Sequence, residues 1–310
     1  MNKLRRSVVL LLVLALGTSC REKERADSIG EPNSVKAESS DGYTRLPSSA
    51  TTQTNNLLPP SDRALRNIVQ ELKERASKGD ALASCRLAAE YDYCEGFVAR
   101  LSKLNETLEN QRSISAESGN KSSDAIVALE ANAKELLSQA DRCEGVVMPS
   151  PAERISYWRD SAQRGHVPSM VMYASGRVFY PSDTLSHLEE LGIYKTEALS
   201  MATQAAQAGS MEALQALAAA YSPREYNVIG SSNLLGQVVT PNPVEALTLY
   251  YFLRLSLNEL SSEGSSVVLA DVERKISQLE KDLSAQSLRS AADEASRRRQ
   301  SWRAPKKNLR

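Results

Sequence analysis

Four cysteines and two histidines carry most of the reactive potential of this 310-residue chain. A thiol can be acylated, oxidised to a disulfide, bound to a metal, or used as a nucleophile once a base or a nearby cation lowers its pKa. Cys85, Cys94 and Cys143 form no CxxC pair and have no histidine nearby in sequence, so no metal site is expected. His166 and His187 stand apart from any nucleophile motif, and each is expected at the surface. The chain contains no phosphate-binding glycine loop, no GxSxG and no HExxH. Glu90, Asp92 and Glu95 have the spacing of a solvated helix face. These observations predict no catalytic residue, no cofactor and no identifiable small-molecule substrate.

Cys20 has a different context. It closes MNKLRRSVVLLLVLALGTSC, in which Lys3, Arg5 and Arg6 precede an unbroken apolar run from Val8 to Leu16. That run is too short to cross a hydrocarbon core, which needs about 20 apolar residues. It reads as the h-region of a signal peptide over residues 1–20, with small residues after it. Gly17-Thr18-Ser19-Cys20 resembles the bacterial lipobox, with Gly17 where that pattern prefers leucine. The resemblance implies acylation of Cys20, cleavage before it, and anchoring to a membrane through the N-terminal lipid. Several acyl chains at about 0.8 kcal/mol per buried methylene hold a protein on a bilayer, where a single chain does not. Arg21 in place of aspartate implies delivery to the outer membrane, facing the periplasm. The alternative is an ordinary secretory signal cut nearby, with Cys20 left as a plain thiol.

Loss of residues 1–20 leaves 35 basic against 38 acidic side chains, so no strong field points to nucleic acid. Residues 21–60 are poor in apolar groups and show no period, which predicts a flexible tether. As a coil it spans about 35 Å.

From residue 61 to about 294 the texture becomes helical. Ser61-Asp62 can cap a first helix reaching about Lys78, and Asp80 to Tyr91 reads as a second. Gly79, Gly165 and Gly209 align as repeat turns, because glycine tolerates the positive φ that follows a helix end. Three residues before each glycine stands an alanine (Ala76, Ala162, Ala206). Four after stand Ala83, Ser169 and Ala213; eight after, Leu87, Tyr173 and Leu217; twelve after, Tyr91, Arg177 and Tyr221. A spacing of four keeps such residues on one helical stripe. A fourth first-helix begins at NPVEALTLYYFL, with Ala246 equivalent to Ala198. Low aromatic content and abundant alanine favour an all-α architecture.

These residues resemble the Sel-one-like repeat, the α/α branch of the tetratricopeptide-like solenoids. EALSMATQAAQAGSMEALQALAAAY (Glu197–Tyr221) is the clearest copy; Ala152–Gly176 and Lys73–Tyr91 are more divergent. The resemblance covers a third to a half of the chain. It implies an α solenoid that works as a non-catalytic adaptor or scaffold, binding an envelope protein through its grooves. Tyr157, Trp158, Tyr250 and Tyr251 are candidate binding aromatics, with core packing as their alternative role. A cell-wall hydrolase and a passive envelope spacer are the other function classes.

An insertion separates the first two copies. Phe97, Leu101, Leu104 and Leu108 form one stripe; Ile126, Leu129, Ala133, Leu136 and Ala140 form another. With the polar stretch Asn110–Asp124 between them they predict an antiparallel hairpin over about 97–142. Leu269, Val272, Ile276, Leu279 and Leu283 predict a terminal helix with its stripe turned inward. Residues 295–310 read as a basic tail, solvated or touching anionic headgroups.

Export would place the cysteines where disulfides persist. Cys85 and Cys94 on one helix would be about 13 Å apart along its axis, beyond disulfide reach. Cys94, taken to follow the second helix, and Cys143, after the hairpin, sit in the similar strings YCEGF and RCEGV, which suggests that they pair. A closed loop of that length is worth about 4 kcal/mol in the chain-entropy treatment. Cys85 would then be a buried thiol; Cys85–Cys143 is the competing pair.

Overall fold

The computed structural model describes residues 58–60, 63–117, 124–180, 186–224, 234–260 and 265–302. The expected signal segment with Cys20, residues 21–57 of the tether, and residues 303–310 of the basic tail lie outside the described residues. Among the described residues all regular structure is helical, so the all-α class holds. The helices are α1 (Val69–Ser77), α2 (Ala81–Glu117), α3 (Asp124–Ser138), α4 (Pro151–Gln163), α5 (Val167–Ala174), α6 (Leu188–Gln207), α7 (Met211–Tyr221), α8 (Leu235–Val238), α9 (Pro243–Leu260), α10 (Ser265–Glu280) and α11 (Ala285–Ser301).

The three aligned glycines end helices in one and the same way. Gly79, Gly165 and Gly209 have φ of 93°, 89° and 95°. Each glycine N–H donates to the carbonyl three residues back (Ala76, Ala162, Ala206), and the next N–H reaches five residues back to Arg75, Ser161 and Ala205. That pair of bonds is the Schellman closure, which satisfies carbonyls left over at a helix end. The following helix then starts at once. Asp80 accepts from the N–H groups of Leu82 and Ala83, and Ser210 from that of Ala213. His166 occupies the same place without a side-chain cap, and Pro168 follows in the first turn.

The small residues around these turns are buried, as the alignment requires: Ala76, Ala83, Ala162, Ser169, Ala206 and Ala213. Their size lets the two helices of each pair approach closely. α1 packs on α2, α4 on α5, α6 on α7 and α9 on α10. Between pairs, α2 meets α4, α5 meets α6 and α7 meets α9, so successive pairs pack in chain order. Two serines replace alanine at the seam between the first two pairs. Ser169 Oγ donates to Ser161 Oγ at 2.8 Å, and Ser161 Oγ donates to the Ala81 carbonyl at 2.7 Å, so neither buried hydroxyl is stranded.

α2 corrects two expected boundaries. It does not stop near Tyr91 but runs for 37 residues, through Cys94 and Gly96, to Glu117. The polar stretch from Asn110 is therefore helical as far as Glu117. The reason lies in the side chains: Ala83, Leu87, Tyr91, Cys94, Phe97, Leu101, Leu104 and Leu108 recur at three and four without a break, and no proline interrupts them. Over its first half this stripe faces the helix pairs; over its second half it faces α3. α3 packs on α2 and on the short turn Ala140–Arg142, so the hairpin stands clear of the main stack.

Cys94 and Cys143 are bonded at the foot of this hairpin, with Cα atoms 5.4 Å apart. Cys85 is not the thiol expected. It is fully buried and disulfide-bonded.

The C-terminal end also differs from expectation. Val272, Ile276 and Leu279 of α10 do turn inward. A further helix, α11, follows and lies on α9, burying Ala291 and Ala295. The basic tail therefore begins after Trp302, not at residue 295. Arg298 and Arg299 are held in the helix by Glu245, Glu294 and Glu259.

Candidate functional site between the third and fourth helix pairs

The shared turn geometry puts the first helices of successive pairs in one register, and ion pairs repeat along it. Lys73, six residues before Gly79, meets Glu153, twelve residues before Gly165, at 3.1 Å. Arg159, six before Gly165, meets Glu197, twelve before Gly209, with Nε to Oε2 at 2.8 Å and Nη2 to Oε1 at 2.6 Å. Gln163 adds a donor to the same Glu197 carboxylate at 3.3 Å. The Arg159 hydrogen bond holds the Glu197 carboxyl below its ordinary range.

The third rung departs from this pattern. Its acidic member is present as Glu245, just before Ala246, as Glu197 is just before Ala198. Its basic member would be residue 203, which is threonine. Glu245 is instead gripped by Arg298 of α11, at 2.5 and 3.0 Å, and Arg298 also donates to Glu294 at 2.7 Å.

A cavity of about 640 Å³ opens at this rung. Leu249 and Phe252 of α9, Ala206 of α6, and Leu214 and Leu217 of α7 supply its apolar surface. Trp302 lies edge-on to Phe252, with ring centroids 5.4 Å apart. The Trp302 indole N–H is buried and finds no acceptor among the described residues. Thr203, Gln207, Tyr221, Glu245 and Arg298 add the polar part. Burial raises the Tyr221 pKa, and Glu245 raises it further, so its phenol is neutral. Apolar walls with a few polar groups are the usual composition of a binding cleft.

The sequence-predicted aromatics do not line this cavity. Trp158, Tyr250 and Tyr251 are buried in the core. The Trp158 indole N–H donates to Asp92 at 2.8 Å, and the Tyr251 hydroxyl donates to Glu280 at 2.7 Å. Tyr157 is half-buried, stacks on Tyr91 with centroids 6.2 Å apart, and donates to Glu153. Their large apolar surfaces fill the contacts between helix pairs, which leaves no exposed ring to act as an anchor.

Glu90 is buried and Asp92 is partly buried, so they do not form a solvated face. Glu90 accepts from Arg86 at 2.6 Å and from Arg142 at 2.8 and 2.7 Å. Asp92 accepts from Arg154 Nη1 at 2.5 Å, and the Arg154 guanidinium lies 4.1 Å from the centroid of the Tyr180 ring. Burial pushes the Asp92 carboxyl upward, and Arg154 opposes that shift. Glu95 joins Arg154 at 3.2 Å and remains partly exposed. These carboxylates neutralise arginines and tie α2 to the elements around it.

The histidines are also set in structure. His187 is buried against Phe179, with ring centroids 5.4 Å apart, which corrects its surface assignment. His166 is half-buried, its Nδ1 2.8 Å from Ser169 Oγ. The single Ser169 proton is already given to Ser161, so the imidazole must be the donor. A ring that donates to this serine cannot take its proton, and burial lowers the His166 pKa further. Among the described residues no group of three metal-ligating side chains converges.

No family model, curated protein or solved structure matches this chain.

Sequence reasoning missed Thr203, Glu245, Arg298 and Trp302. The signal available was an acidic residue twelve places before Gly165 and Gly209, and a basic residue six places before Gly79 and Gly165.

Proposed function

We propose that this protein is exported to the bacterial envelope and works there as a non-catalytic adaptor, gripping another protein in the groove of an α/α solenoid of the Sel-one-like kind. The observation that carries the reading is the open third rung. Two rungs are closed by ion pairs within the stack, and the third leaves a lined cavity of about 640 Å³. Stacked helix pairs offer such elongated surfaces to partners.

The cavity's chemistry favours binding over turnover. Glu245 is the one carboxylate among its described lining residues, and it is engaged by Arg298. Glycoside hydrolysis needs two carboxyl groups about 5–9.5 Å apart across the substrate. A passive spacer would have no use for an apolar cleft, which costs packing contacts.

The lipid on Cys20 is the proposed anchor. No helix among the described residues is long and apolar enough to cross a membrane. A second reading is secretion without a lipid: Cys85 is disulfide-bonded and Cys94 is bonded to Cys143, which fits export to an oxidising compartment whatever holds the chain there.

Intact mass and fractionation of the mature protein separate the two readings. The lipid reading requires added acyl mass and membrane retention, both lost in Cys20→Ser. Adaptor function requires the same crosslinked partner in independent preparations of native cells. A spacer yields none.

A further inference from the structure

The third rung keeps its acid, but its base comes from Arg298 of α11 and not from position 203 of the neighbouring first helix, and that defines what the cavity can accept. In the first two rungs a Lys73 or Arg159 side chain leaves its own helix and ends on the carboxylate of the next pair. Thr203 is too short to do so and brings no charge. Glu245 and Thr203 line the same cavity, together with the apolar Leu214, Leu249 and Phe252.

Arg298 does not exhaust Glu245. It places one donor on each carboxylate oxygen. A carboxylate offers about four acceptor positions. Elsewhere this protein loads one carboxylate with two side chains: Glu90 holds Arg86 and Arg142 together, and Glu197 holds Arg159 and Gln163. Arg298 also has a second acid, Glu294, to retain its charge balance if it yields part of Glu245.

We infer that the cavity receives a lysine or arginine side chain from an apolar segment of the partner protein, which supplies the basic member missing at position 203 and completes the rung on Glu245. This inference rests on the adaptor reading and names the chemistry of its contact. The aliphatic stem of the incoming side chain lies along the leucines while its cation reaches the carboxylate, the division of labour that long basic side chains favour. Phe252 and Trp302 add aromatic surface to the same cavity. Neighbouring apolar residues of the partner segment cover the rest of the cleft.

The test uses the mature chain with two tripeptide probes, acetyl-Leu-Arg-Leu-amide and its norleucine counterpart acetyl-Leu-Nle-Leu-amide. Binding is read from the fluorescence of Trp302, against Trp158, which is buried elsewhere. The arginine peptide should bind about tenfold more tightly than the norleucine peptide, the size of one charge-assisted hydrogen bond. Glu245→Gln should remove that preference. Thr203→Arg should close the rung from within, abolish binding of the arginine peptide, and leave the thermal midpoint at or above the wild-type value, since arginine is the better helix former. Equal affinity for the two peptides, no binding of either, or binding that survives Thr203→Arg would overturn the inference. Crosslinked partners that persist with Thr203→Arg in cells would likewise overturn it, while leaving the adaptor reading intact. Loss of every reproducible partner from the wild-type chain is the separate result that removes the adaptor reading.

Discussion

Arg142 and Glu90 stand fifty-two residues apart in the chain and are joined by two hydrogen bonds, Nε to Oε2 at 2.8 Å and Nη2 to Oε1 at 2.7 Å. The Arg142 guanidinium also lies over the Tyr93 ring, 4.4 Å from its centroid, and the Tyr93 hydroxyl donates to Gln139. One residue further along on each side, Cys94 bonds to Cys143. Covalent, ionic and aromatic contacts therefore meet at the foot of the hairpin and fix where α3 returns to the stack.

That arrangement gives separable stability effects. Replacing Cys94 and Cys143 by serine opens a loop of 49 residues and should cost about 4 kcal/mol in the chain-entropy treatment. Arg142→Met leaves Glu90 with Arg86 alone and should cost about 2 kcal/mol, less than a fully orphaned buried charge. Urea unfolding measures both; Arg142→Met should lower stability in oxidised and reduced protein alike.

The turn glycines predict an order among substitutions. Gly165 has positive φ and open space around its missing side chain, so Gly165→Ala should cost only the backbone strain, about 1–2 kcal/mol. Gly176 combines φ of 76° with a close approach: an added Cβ would lie 2.3 Å from Leu234 Cβ. Gly176→Ala should therefore cost about 3 kcal/mol or more, through strain and overpacking together. Equal shifts in thermal midpoint would contradict this account of the two turns.

The second rung should show in the pH dependence of stability. The Arg159 hydrogen bond lowers the folded-state pKa of Glu197 below the ordinary 4.5. A depressed acid contributes stability that is present above its unfolded value and is lost as pH falls through the folded value. Both partners are partly exposed, so the contribution is about 1 kcal/mol or less. Glu197→Gln should be less stable than wild type at pH 7, and the difference should shrink below about pH 4.5. A difference independent of pH would assign the effect to packing instead.

The turns were the most legible part of the fold. Glycine at positive φ with alanine three before it is a local constraint, and Gly79, Gly165 and Gly209 display it in the sequence. The second helix was expected to end near Tyr91, the last aligned position of the repeat, whereas the apolar stripe continues through Cys94 and Phe97 at helical spacing. The core role of Trp158, Tyr250 and Tyr251 follows from packing between helix pairs, which one-dimensional spacing does not reveal. The candidate site was hidden for a similar reason. Thr203 is informative only once Lys73 and Arg159 are known to end on the next pair's glutamate, and Arg298 reaches Glu245 from a helix that had been expected to be a solvated tail.

The central claim is that the cleft at the third rung grips another protein. A photoactivatable crosslinker in place of Gln207, which is exposed at the cavity rim, tests it in native cells. A discrete protein adduct of one mass, recurring in independent preparations, is the predicted result. Diffuse background that differs from one preparation to the next would contradict it.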